Sequence, residues 1–129
     1  MRKLILILLA VMLLTACGNT EENNQEAVYM NITAEEAKAI MDREEGYIIL
    51  DVREQEEYNQ GRIPGAILIP YTEIKAKAET VLTDKDQLIL VYCRSGRRSK
   101  IAAEALVELG YTNIKEFGGI LDWPYDVEK

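Results

Sequence analysis

Apolar positions follow two rhythms along this chain. Residues 47–52 ("YIILDV"), 66–69 ("AILI") and 88–92 ("LILVY") are nearly unbroken apolar runs of strand length, the pattern of strands buried on both faces of a parallel sheet. Residues 28–31 and 114–117 add two shorter extended pieces. Between these runs the spacing changes to that of helices. Thr33-Ala34-Glu35-Glu36 reads as a capping box opening a helix that buries Ala37, Ile40 and Met41 and stops at Gly46. A charged helix is expected over residues 54–59 and a short one over 71–78. Ala102, Ala105, Leu106 and Leu109 recur at i, i+3, i+4 and i+7, with Gly110 just beyond, which predicts an amphipathic helix and its stop. Gly118-Gly119 is expected to turn the chain toward Trp123, Pro124 and Tyr125. Buried strands alternating with helices predict one α/β domain over residues 28–129, with a mostly parallel central sheet of about five strands and helices on both faces.

The first residues follow another pattern. Arg2-Lys3 precedes an apolar run over residues 4–14, shorter than the roughly 20 residues a spanning helix needs and matched to an export signal. Residues 14–18, "LTACG", resemble the lipobox of bacterial lipoproteins. That resemblance implies a signal peptide over residues 1–16 and a lipidated Cys17 as the first mature residue. The plainer alternative is an ordinary signal peptide with a cysteine at its cleavage region. Two or more acyl chains would anchor the protein without spanning. The acidic stretch 18–27, "GNTEENNQEA", would act as a flexible spacer with a reach of roughly 17 Å. The expected location is the extracytoplasmic face of the cell membrane, or its periplasmic side where there are two membranes.

Composition narrows the function. The chain carries 15 basic against 22 acidic residues, and no histidine. Removing Arg2 and Lys3 with a signal peptide widens the acidic excess, which argues against nucleic-acid partners. Without an imidazole, Cys–His proteases and Ser–His–Asp hydrolases are excluded, and so is a Cys/His zinc site. Of the two cysteines, Cys17 falls to the lipobox, leaving Cys93 alone, with no disulfide framework and no redox pair. No metal or cofactor is expected, and the domain should be a monomer.

Cys93 stands at the carboxyl end of the most apolar run, within "YCRSGRRSK". Ligands of open parallel sheets collect beyond the strand ends. The chain must turn here into the following helix, and Gly96 allows a backbone conformation that other residues resist. Successive N–H groups in such a turn, backed by a helix N-terminus, favour an anion. A cysteine in that setting beside arginines is expected to be reactive through a depressed pKa. Four cations lie between Arg94 and Lys100, whereas the nearest acids in sequence are Asp86 and Glu104. Arg97 and Lys100 are as readily read as solvated charge on the first helical turn. Sulfur transfer and phosphoryl or arsenyl transfer both fit an ionised sulfur facing a small anion. The opposite reading of Cys93 is a small core residue ending its strand.

In order along the chain, "LDVRE" at residues 50–54 with Tyr58, "GRIPGA" at 61–66, "VYCRSGRRS" at 91–99 and "GGILDW" at 118–123 resemble the motifs of single-domain rhodanese-like sulfurtransferases. Arg62 stands where that family usually has histidine. The resemblance implies that Cys93 takes a sulfane sulfur from a small anionic donor such as thiosulfate and passes it from a persulfide to cyanide or a thiol. It further implies that Arg94, Ser95, Gly96, Arg97 and Arg98 bind substrate through the loop, with Arg94 and Arg98 as guanidinium contacts to the donor oxyanion. Asp51, Arg53 and Ser99 would be structural residues near the site. Six positions beyond Cys93 stands Ser99, while Arg98 gives Cys-x4-Arg, a loop shorter than the Cys-x5-Arg of the phosphatases and arsenate reductases that form the alternative. A binding module that kept the fold without turnover is the third reading. Tyr92 and Trp123 are read as packing aromatics. Glu54, Glu56 and Glu57 are read as a solvated helix face, one of whose acids could pair with Arg53 or Arg62.

Overall fold

The computed structural model describes residues 28–129. The proposed signal peptide, Cys17 and the spacer lie outside the described residues. The elements alternate as the apolar pattern requires: β1 (Met30–Asn31), α1 (Ala34–Arg43), β2 (Ile48–Asp51), α2 (Gln55–Gln60), β3 (Ile67–Leu68), α3 (Ile74–Val81), β4 (Ile89–Cys93), α4 (Arg97–Glu108) and β5 (Ile114–Gly119). All paired neighbours are parallel, in the order β1-β5-β4-β2-β3. Thr33 and Glu36 form the expected capping box, the Thr33 hydroxyl accepting from the Glu36 N–H at 3.1 Å.

The period of two along β4 assigns each side chain to a face. Ile89, Val91 and Cys93 join Leu50 and Val52 beneath α3 and α4, packing against Ile74, Ala78, Ala102, Ala103 and Leu106. Leu90 and Tyr92 point the other way, with Ile49, toward Ala34, Ala37 and Ile40 of α1, Phe117 and Trp123. Both faces are covered, which is why the central runs are apolar throughout.

Two expectations change. The helix expected over 71–78 begins as a 3-10 turn at Tyr71–Glu73, and α3 runs on to Val81. Pro70 sets the extended entry, and the Tyr71 N–H is held by the Val52 carbonyl at 3.0 Å, so the α-helical ladder starts one turn later. Gly118-Gly119 does not turn the chain. Both belong to β5, which has one extra residue between Glu116 and Gly119 against the span Val91 to Cys93 of β4, so that Gly119 stands in register with Cys93. A Cβ on Gly119 would meet the Arg94 carbonyl oxygen at 1.9 Å, so only glycine lets the strand continue this close to the loop.

The topology places the site. From β2 the chain leaves toward the β3 edge, whereas from β4 it leaves toward β5 on the opposite side. β2 and β4 are neighbours, so the crevice beyond their carboxyl ends is the switch point at which open α/β sheets bind ligands. Asp51 and Cys93 end those two strands.

Candidate active site

Cys93 is buried, 1 % exposed, and its sulfur is cradled by the turn that follows it. The Gly96 N–H donates to Sγ at 3.0 Å, and Ser99 Oγ lies 3.4 Å from Sγ. Gly96 caps α4 with φ 108°, a left-handed conformation that costs a side chain energy and costs glycine little. That conformation swings the N–H groups inward to face the sulfur. Burial pushes the thiol pKa up, but the Ser99 hydroxyl and the backbone N–H groups of Ser99, Gly96 and Ser95 outweigh it, and the thiol lies below its ordinary value. Cys93 is thus a buried strand end whose thiol is polarised by the turn that follows it.

The loop cations divide. Arg98 makes a two-pronged ion pair with Glu57 of α2, Nη1 to Oε1 at 2.6 Å and Nη2 to Oε2 at 2.8 Å. Glu57 therefore pairs with Arg98, neither left to solvent nor taken by Arg53 or Arg62. The Arg98 hydrogen bonds hold its carboxyl down to about 2 despite the opposing effect of burial. The separation of 41 positions between these partners hid the contact from sequence spacing. Arg97 sits over the Tyr71 ring, 5.9 Å from its centroid, and Lys100 is exposed. Arg94 is exposed and has no ion-pair partner among the described residues. With Arg53, Glu57, Gly61 and Leu121 it lines an open cavity of about 330 Å³. A larger depression of about 440 Å³, lined by Lys38, Trp123 and Tyr125 among others, includes none of the loop residues.

On the β2 side, Asp51 and Arg53 form a buried ion pair, with Arg53 Nη2 at 2.7 Å from Asp51 Oδ2. Arg53 also donates to the Gly61 carbonyl at 2.7 Å, tying the end of β2 to the loop after α2. Burial alone would lower the Arg53 pKa, but Asp51 outweighs it and the guanidinium is held above its ordinary value. The Tyr92 hydroxyl donates to Asp51 Oδ2 at 2.6 Å and accepts from the Ile63 N–H at 3.1 Å. Tyr92 is therefore more than a packing aromatic. Burial and the Asp51 carboxylate push its pKa far up.

One site residue escaped the sequence reading. Glu116 on β5 is 2 % exposed, and its Oε1 accepts from Ser99 Oγ at 2.7 Å and from the Gly118 N–H at 2.8 Å. The available signal was a carboxylate inside residues 114–117, "IKEF", a piece expected to be a strand of the sheet, where an unpaired carboxylate is seldom buried. Arg62, where the family usually has histidine, lies apart from the thiol. It pairs with Glu128 at 3.5 Å and lies over the Tyr58 ring.

The fold and the loop define a parallel α/β domain with a buried cysteine thiol held by a backbone N–H group at the sheet's switch point. Residues 33–124 match the family model described as the rhodanese-like domain, and the chain belongs to that family. It is 44 % identical over 73 residues to the thiosulfate sulfurtransferase PspE of Escherichia coli (strain K12), covering 57 % of this chain and 70 % of that protein. It is 37 % identical over 86 residues to the putative sulfurtransferase YtwF of Bacillus subtilis (strain 168), covering 67 % of this chain and 82 % of the other. Among solved structures, a rhodanese with anions from E. coli superposes with a TM-score of 0.61 at 40 % identity, over 64 % of this chain and 98 % of that one.

Proposed function

We propose that this protein is a sulfurtransferase of the thiosulfate sulfurtransferase type, moving a sulfane sulfur through a persulfide on Cys93. The observation that carries the reading is the Cys93 sulfur held at the end of β4 with the Gly96 N–H pointed at it and its pKa depressed. The thiolate attacks the outer sulfur of the donor, the donor's S–S bond breaks, and its electron pair leaves with sulfite. The persulfide's terminal sulfur then carries the negative charge toward the loop amides of residues 94–98. A thiol or cyanide acceptor attacks that terminal sulfur, and the electron pair of the breaking bond returns to Cys93 Sγ. No net oxidation occurs. Arg94, exposed on the cavity rim, contacts the donor's oxyanion. Arg98, bound to Glu57, holds the turn that presents the amides and adds positive charge near the sulfur.

Intact mass spectrometry after incubation with thiosulfate tests this. One added sulfur mapping to Cys93, lost on adding cyanide or dithiothreitol and missing in Cys93→Ser, is the expected result. No adduct, together with turnover of phosphate esters or arsenate, would transfer the site to oxyanion chemistry. No reaction at all would leave a binding module.

We further infer, from the apolar run at residues 4–14 and the "LTACG" stretch, that residues 1–16 are removed and that Cys17 carries a lipid anchor. The domain then faces outward from the membrane as a monomer on the 18–27 spacer. In cell fractionation, Cys17→Ala is expected to leave the membrane fraction. Unaltered partitioning of that variant would defeat the anchor.

A further inference from the structure

Beneath the loop lies a buried carboxylate that the sulfur-transfer steps leave unused. Glu116 Oε1 takes the Ser99 hydroxyl at 2.7 Å, while Ser99 Oγ also stands 3.4 Å from Cys93 Sγ. The carbonyls of Gly96 and Gly118 lie 3.0 and 3.3 Å from the same oxygen. A serine hydroxyl has one proton to give. Its two strongest claimants are anions, since a charged acceptor makes the stronger bond: the Glu116 carboxylate, and Sγ whenever it is ionised. Both sites are nearly inaccessible to water, so little solvent is at hand to relieve the contest.

We propose that Glu116 is a positioning residue that draws the Ser99 proton away from Cys93 Sγ and thereby favours the sulfur-loaded enzyme over the free thiolate. The inference rests on the persulfide reading. In the free enzyme the charge sits on Sγ, which needs the Ser99 proton. In the loaded enzyme Sγ is uncharged, and the charge moves about 2 Å outward across the new S–S bond, onto the loop amides. Ser99 then serves Glu116 without loss. Glu116 opposes charge on Sγ in two ways, by competing for the proton and by repulsion between like charges.

The other charged groups around Cys93 are arranged differently. Arg98 on α4 is shared with Glu57 on α2, and Asp51 and Arg53 at the end of β2 neutralise each other. Arg94, Arg97 and Lys100 are exposed on the loop and first turn, as is Glu104 further along α4. Tyr29, ahead of β1, feels both Glu104 and Glu116. None of these bonds to Ser99; among the described residues Glu116 is the one carboxylate that does.

The test titrates the Cys93 thiol of the full chain, as the thiolate absorbance that Cys93→Ser lacks, and measures single-turnover loading from thiosulfate and unloading to cyanide. Glu116→Gln keeps the shape and removes the charge. Its thiol pKa is expected to fall by about one unit. Above both pKa values, loading should slow and unloading should quicken by roughly threefold each, because sulfur exchange follows thiol basicity with a slope near one half. An unmoved pKa with unmoved rates overturns the proposal. Should Glu116→Gln fail to fold, Glu116→Asp, whose shorter arm loses the Ser99 bond, is expected to shift in the same direction. In a Ser99→Ala background the Glu116→Gln shift should shrink to roughly half or less; a full-sized shift there removes Ser99 from the coupling and overturns the proposal. Wild-type protein that takes up no sulfur would fail the persulfide reading and this inference together. Wild-type loading with an inert Glu116→Gln would fail this inference alone.

Discussion

Arg94 and Arg98 flank the same turn, yet their guanidiniums meet different surroundings. Arg98 is fixed by two short bonds to Glu57, whereas Arg94 opens onto the cavity. Arg94→Ala is expected to raise KM for thiosulfate about tenfold, the cost of one charged contact, with an unchanged melting temperature; wild-type kinetics would remove Arg94 from the donor site. Arg98→Ala should lower stability by about 1 kcal/mol, as befits a partly buried pair near the surface, read from denaturant unfolding. The acid dependence of stability has a definite sign. Glu57 has its folded pKa depressed from 4.5 to about 2, so its contribution is fully present above about pH 4.5 and is lost as the pH falls toward 2. Comparing wild type with Glu57→Gln across that window should show the difference in stability closing as the pH drops. A difference that stays constant would mean the pair is not formed in solution.

At the scale of elements, the sheet was legible because burial on both faces leaves long apolar runs, and α1 because its capping box is local. The ends of elements were less so. The late start of α3 follows from the Tyr71 to Val52 bond, and the extension of β5 through Gly119 from its pairing with Cys93. Both are contacts between segments distant in sequence. Gly119 locks β5 to the loop after Cys93: Leu121 donates to the same Arg94 carbonyl, at 3.2 Å, that a Gly119 side chain would strike. Gly119→Ala is therefore expected to cost about 3 kcal/mol by overpacking and to reduce sulfur transfer by displacing the loop. A variant that melts with wild type and turns over normally would mean that the loop yields without cost.

For the whole molecule, the C-terminal residues close the structure over the α2 to β3 connection. Glu128 and Arg62 exchange backbone hydrogen bonds at 2.8 Å in both directions, and Gly65 N–H donates to Glu128 Oε1 at 3.1 Å. Val127 lines the cavity beside Arg94. Removing residues 127–129 is expected to lower stability by about 2 kcal/mol, from these three lost hydrogen bonds, while leaving the Cys93 persulfide able to form; loss of sulfur uptake in a folded truncation would assign the tail to the site. The sequence alone determined the α/β class, the strand that ends in Cys93, the glycine that turns the loop, and the exclusion of imidazole chemistry. Each of these is carried by residue type and local spacing. Tertiary structure alone decided that Arg98 belongs to Glu57, that Tyr92 bonds Asp51, and that Glu116 lies behind the thiol. Those pairs join residues 17 to 41 positions apart. A parallel sheet brings such residues together through crossovers, whose register the local pattern does not encode.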